Sequence, residues 1–367
     1  MAQKIKVFGA ALDPSDSETK IMIKQTHINA LKNRIPEKSK YLDPYDAFLA
    51  ESEILKRPIF QKIGKFPIET WLTPKPDIED YIFMTPLNFR LFLDKNGCLE
   101  YSQELEGYIE QKVLPDIPLM IGADHSLTGG VLKVLSRKYG PENLSVIIFD
   151  GHFDAIPTNL RMGLASYSRE HKDEIAVPFP ELVDLLDEDT EIPQSYNCGT
   201  FLYHLINEET ILPQNLIVFG CADYPSADLK KIQDNRIKNY VDFYLAYQKQ
   251  GVKFVPNFKD NEKMNHEFKK ALESVKTPYL YLSIDVDIGS LNEILAARFM
   301  DFIGIDSDCL YNAAKLIRQL LNRREVELIG LDIMEVEVYY LNAYLKKSGK
   351  TDHTIPIIDA LLENLLT

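Results

Sequence analysis

The chain is punctuated by short, almost wholly apolar runs with longer helix-patterned stretches between them. The runs are Ile5–Ala10, Tyr81–Met84, Ile117–Ile121, Leu144–Asp150, Leu216–Phe219, Val252–Val255, Tyr279–Asp285 and Glu327–Asp332. Several are continuously apolar rather than alternating, as expected of parallel strands covered on both faces. Between them, Gly129–Tyr139 gathers Val131, Leu132, Val134 and Leu135 along one side and stops at Gly140-Pro141. Asp306–Asn322 sets Leu310, Ala313, Ala314, Ile317 and Leu321 on a helical stripe behind an acidic first turn. This alternation predicts an α/β fold around a mostly parallel sheet. Ligands of such sheets bind at the carboxyl ends of the strands, so candidate chemistry is sought there.

Two segments break the rhythm. Residues 30–78 are polar and without a clear period, and hold Trp71, the only tryptophan; residues 156–197 carry an acidic patch at Glu181, Asp184, Asp187, Glu188, Asp189 and Glu191. An insertion of the second kind is either a lid over a site or a solvated decoration. The 367 residues suit two average domains or one enlarged α/β sheet. A net charge of -14 with no Lys/Arg block excludes a nucleic-acid binder, which must neutralise phosphates. Four widely spaced cysteines, no apolar leader and no bilayer-length apolar stretch lead us to expect a soluble cytoplasmic protein with no membrane partner.

Three of the apolar runs end in metal-type side chains. Leu144–Phe149 runs into Asp150-Gly-His152-Phe-Asp154, Tyr279–Ile284 into Asp285-Val-Asp287, and Ile117–Ile121 into Gly122-Ala-Asp124-His125-Ser126. If the chain stays extended, alternate residues share one side and each motif converges on a point. Four carboxylates and two imidazoles gathered in this way are either a costly crowd of like charges or a metal site. His125, Asp150, His152, Asp154, Asp285 and Asp287 exceed the needs of one catalytic zinc and suit two divalent ions, which four carboxylates would neutralise. The oxygen-rich set favours Mn(II), with nickel, cobalt, iron and zinc left open. A pair of ions about 3.5–4 Å apart would hold a bridging hydroxide as nucleophile, so a hydrolase is expected.

These motifs resemble those of the ureohydrolase superfamily of arginases, agmatinases and formiminoglutamases: G-G-D-H-S, D-A-H-x-D and S-x-D-x-D-x-x-D-P. All six ligand positions of that family match. The late segment Gly330-Leu-Asp332-Ile-Met-Glu335-Val resembles the family's strand whose glutamate grips the substrate's planar N–C–N cation. The likeness spans roughly residues 117–155 and 197–366, with the first strand. It implies a three-layer α/β/α arginase-like fold of about eight strands, as one catalytic domain over 1–367 elaborated at 30–78 and 156–197. It further implies a binuclear manganese site, a small guanidino- or amidino-type cation as substrate, and a homo-oligomer. Asp154 is expected to take a proton from the attacking hydroxide and Glu335 to orient the substrate.

The chain also departs from the pattern. Cys198, in Asn197-Cys198-Gly199-Thr200-Phe201, stands where agmatinases have histidine and formiminoglutamases serine. It is either a thiol facing the substrate or a small packed residue. Ile156 replaces the asparagine of arginases and the arginine of formiminoglutamases, which weakens the case for free arginine or formiminoglutamate. Asp287 runs into Ile-Gly-Ser290 without the third aspartate and proline. The expected activity is hydrolysis of a C–N bond in a guanidino, amidino or formimino compound. The alternatives are another C–N bond, in an amide or a larger guanidine, and a non-catalytic metal-binding scaffold.

Overall fold

The apolar runs form the centre of one parallel sheet. The computed structural model describes residues 4–15, 17–36, 39–171, 194–300, 302–323, 326–345 and 349–366. The strands are β1 Ile5–Ala10, β2 Phe60–Lys65, β3 Ile117–Gly122, β4 Leu144–Phe149, β5 Leu216–Phe219, β6 Lys253–Val255, β7 Tyr279–Asp285 and β8 Glu327–Met334. Their spatial order is β2-β1-β3-β8-β7-β4-β5-β6, every neighbouring pair parallel.

Alternation along the strands feeds two cores. On β7, Leu280, Leu282 and Ile284 join Phe268 of helix Asn261–Glu273, Ile317 of helix Ser307–Asn322 and Leu361 of helix Thr354–Leu366. Tyr281 points the other way, into a core with Leu105 of helix Gly97–Tyr108, Leu135 of helix Thr128–Tyr139 and Tyr244 of helix Asn235–Gln250. Helices thus cover both faces, as continuous apolar strands require. Asp306 ends the approach to its helix as the N-cap, accepting from the Cys309 N–H at 2.9 Å.

Two expectations fail in the first hundred residues. Tyr81–Met84 is not a strand: Ile78–Phe83 form a 3₁₀ helix, opened by a capping box between Asp77 and Asp80, and Ile82 is 72% exposed. The eighth strand is instead β2, within the segment that lacked a period. Its sequence Phe-Gln-Lys-Ile-Gly-Lys is mostly exposed because β2 is an edge strand, where lysines replace the apolar run. Trp71 packs on Phe83, Phe89 and Phe92, with ring centres 5.4–5.7 Å away. The acidic patch of 181–191 lies outside the described residues. Among the described residues no helix is long and apolar enough to cross a membrane, and Cys98, Cys198, Cys221 and Cys309 are free thiols.

Candidate metal centre

Four adjacent strands, β3-β8-β7-β4, end on one edge of the sheet and deliver the acidic and imidazole groups. Phe149 of β4 is level with Ile284 of β7, so Asp150 and Asp285 leave neighbouring strand ends. Beyond them the chain turns instead of staying extended. Asp150 Oδ1 accepts from the His152 N–H at 2.6 Å, and Asp285 Oδ1 from the Asp287 N–H at 2.8 Å. These side-chain-to-backbone turns, rather than strand alternation, fold each motif back on itself. The Gly151 N–H also donates to Asp287 Oδ1 at 3.0 Å, stitching the two turns together. At Gly151 the Phe302 ring occupies the space a Cβ would need, 1.7 Å from that position, so any side chain would force the ring or the turn to shift.

The result is three overlapping clusters. One joins His125, Asp150, Asp154 and Asp285; a second joins Asp150, His152 and Asp287; a third joins Asp285, Asp287 and Glu335. Within each, the ligand atoms lie within 4.8 Å of one another. All six residues expected from the sequence are therefore brought together, and Glu335 stands beside them. His125 Nδ1 has Asp150 Oδ2, Asp154 Oδ2 and Asp285 Oδ2 at 3.2, 3.1 and 3.1 Å, and His152 Nδ1 lies 2.7 Å from Asp287 Oδ2.

His125 Nδ1, Asp150 Oδ2 and Asp287 Oδ2 are buried and make no well-directed hydrogen bond; their close neighbours are other atoms of the same cluster. Orphaned polar atoms of this kind are costly unless something else satisfies them. Divalent cations fit that need: the orphaned atoms are lone pairs on imidazole and carboxylate, which such ions bind.

Electrostatics point the same way. Burial, then the charges of Asp154, Asp287 and Asp285, push the Asp150 carboxyl well above its usual range. Burial and then Asp287 push Asp285 up to about 7. For His125, burial works to lower the pKa, but the three surrounding carboxylates outweigh it and hold the pKa well above the ordinary value. In the metal-free state protons thus stand in for positive charge.

Behind His125 lies a relay that sequence reasoning did not assign. Ser283 Oγ donates to Asp332 Oδ1 at 2.6 Å, so it accepts from His125 Nε2–H at 2.8 Å. Asp332 also receives Thr128 Oγ1 at 2.7 Å and the Tyr281 hydroxyl at 2.5 Å. Held at Nε2–H by Ser283, the imidazole turns Nδ1 toward the carboxylates. Strand register explains the pairing, since Ser283 and Asp332 are partners across β7 and β8. Both residues stand inside the quoted motifs, so the signal for them was present.

Asp223 accepts from the Phe153 N–H at 3.1 Å and from Cys221 Sγ at 2.9 Å; burial pushes its carboxyl up, and the His152 charge works against that. Cys198 is only partly buried in surface terms, yet desolvation, then the charges of Asp124 and Glu335, push its thiol well up. That favours the neutral thiol over a reactive thiolate. His171 stacks on Tyr167 at the end of helix Thr158–Glu170. Ile156 is buried in the apolar core.

The Arginase family model matches residues 82–351, well over half of the chain. The chain belongs to the Arginase family. In fold it is similar to the arginase of Bacillus caldovelox, at 14% identity over 99% of this chain and 98% of that one, with a TM-score of 0.57. It is similar also to the proclavaminate amidino hydrolase of Streptomyces clavuligerus (16% identity, 99% and 92% coverage, TM-score 0.55). A third is the formimidoylglutamase of Bacillus subtilis (17% identity, 99% and 86% coverage, TM-score 0.54). No curated protein sequence matches at a significant level. The family's fold is thus present with a strand-edge cluster of histidine and aspartate able to hold metal.

Proposed function

We propose that this protein is a metal-dependent hydrolase that cleaves a C–N bond of a small guanidino, amidino or formimino compound. The observation that carries the reading is the convergence of buried imidazole and carboxylate atoms within 4.8 Å of one another, with His125 Nδ1, Asp150 Oδ2 and Asp287 Oδ2 making no well-directed hydrogen bond. We assign His125, Asp150, His152, Asp154, Asp285 and Asp287 as the residues that hold two divalent ions, with Mn(II) first in order. The chemistry such a pair supplies when bound is a nucleophile drawn from water near neutral pH and withdrawal of charge from the carbon under attack.

The chain's own groups do the rest. Asp154 Oδ2 lies 3.1 Å from His125 Nδ1 within the first cluster, where it can hold a proton taken from the nucleophile. Glu335 presents a buried carboxylate to the cluster edge, where a planar N–C–N cation can pair with it through two N–H groups. Ser283 and Asp332 hold His125 in one tautomer. The chain acts as one catalytic domain, with 30–78 contributing the edge strand β2 and 156–197 as an elaboration, in a reducing cytoplasm compatible with its free thiols.

The test is metal analysis of the purified protein, followed by a screen for urea, ammonia and formamide release over guanidines, amidines and formimines. We expect two divalent ions per chain and turnover on at least one compound. Glu335→Gln is expected to lower kcat/KM about 10- to 100-fold, the worth of a hydrogen bond to a charged group, with metal content unchanged. Bound metal without turnover on any compound would leave a non-catalytic scaffold, and absence of bound metal would defeat the proposal.

A further inference from the structure

Beside the metal cluster lies a second set of buried charges that the proposed chemistry does not use. Arg298, in the loop after β7, is 6% exposed, and Asp13, Lys24 and Asp124 are buried around it. Its Nη1 donates to Asp124 Oδ2 at 2.5 Å and to the Ala123 carbonyl at 3.3 Å. Nη2 donates to the Pro14 carbonyl, and Nε lies 3.2 Å from Asp13 Oδ1. Lys24 closes the set, 3.0 Å from Asp13 Oδ2 and donating to the carbonyls of Asp13 and Thr73. The guanidinium therefore grips the loop after β1 and the turn after β3.

The backbone of the same residue grips the end of β8. The Arg298 N–H donates to the Glu335 carbonyl at 2.8 Å, and Ala297 forms an antiparallel bridge with Val336. Glu335 needs that support, because its φ of 61° is a left-handed conformation that non-glycine residues adopt only when their surroundings impose it. Ala123 and Asp124, at the other end of the fork, immediately precede His125. One residue thus connects the turn that presents His125 to the strand end that presents Glu335.

We propose that Arg298 is a positioning residue that sets His125 and Glu335 in register with each other, an inference that rests on the reading of the cluster as a metal site. A planar fork bonded on several sides fixes direction as well as distance, which a lysine ammonium cannot reproduce. Groups that hold metal ligands in place commonly carry ten- to hundredfold effects on affinity.

The experiment compares Mn(II) binding by calorimetry in wild type, Arg298→Lys, Arg298→Met and Lys24→Met, well below the melting temperature of each. Lys24→Met is the control, since it disrupts the same ion cluster but touches neither the His125 turn nor the Glu335 strand end. We expect at least tenfold weaker Mn(II) binding in the Arg298 variants, with Arg298→Lys serving if Arg298→Met does not fold. Lys24→Met should melt lower yet bind like wild type. Wild-type affinity in Arg298→Lys, or an equal loss in Lys24→Met, would overturn the positioning role alone. Failure of the wild type to bind Mn(II) would overturn the metal reading and this inference with it.

Discussion

Single atoms carry the case for this site. His125 has one ring nitrogen committed to Ser283 and the other aimed at three carboxylate oxygens. Ser283→Ala removes the acceptor that fixes the tautomer, so metal affinity is expected to fall about 10- to 100-fold; unchanged affinity in a titration would refute the relay. Asp285 gives a prediction in pH. Its folded-state pKa of about 7 lies above the ordinary value of 3.8, so between those values the metal-stripped native state holds a proton that the unfolded chain has lost. Its contribution to stability is complete below 3.8 and is lost as pH rises through about 7. Asp285→Asn should flatten that decline in chemical denaturation of the chelated protein, and parallel pH profiles for the two proteins would count against it. The residue types of the candidate site were legible because each motif follows an apolar run. Asp13 carried the same signal, an acidic residue just past β1, and joins the charge cluster beside the site. Arg298 carried none, because a lone arginine in a loop announces no partner.

At the scale of elements, the site depends on turns more than on strands. The strands bring Asp150 and Asp285 to one level, but the turns after them place His152, Asp154 and Asp287. Gly151 is the tightest point, where the Phe302 ring also lies edge-on to His152 with ring centres 5.2 Å apart. Gly151→Ala forces the ring or the turn to shift, so we expect weaker metal binding with a melting temperature lowered by a few degrees, read together by calorimetry and thermal denaturation. Elements with a continuous apolar pattern were readable from sequence, and β5 and β7 match their expected limits. β2 was not readable, because an edge strand is held by one neighbour and keeps little apolar pattern. Tyr81–Met84 misleads for the opposite reason: its apolar run predicts a buried strand, but Tyr81, Ile82 and Phe83 face solvent.

For the whole molecule, the proposed metal site implies linkage between folding and metal. A cluster of carboxylates gathered at the centre of a sheet edge must take up protons or cations to relieve its self-repulsion, and ions that bound only the folded form would stabilise it by mass action. Adding Mn(II) to the chelated protein should raise its melting temperature in a concentration-dependent way, with about 2.7 kcal/mol gained at a hundred times the dissociation constant. Asp150→Ala should abolish most of that shift; an undiminished shift would place the ions elsewhere. The sequence by itself determined the α/β class, the parallel sheet, the family resemblance and the residue types of the site. Those properties follow from local periodicity and from short motifs, both of which are written contiguously in the chain. Only the tertiary structure decided that β8 and β7 lie between β3 and β4, that Asp332 reaches His125 through Ser283, and that Arg298 ties His125's turn to Glu335. Those facts depend on strand order and on contacts between residues far apart in the chain, as between Leu119 of β3 and Leu331 of β8, 212 positions apart, which no local pattern encodes.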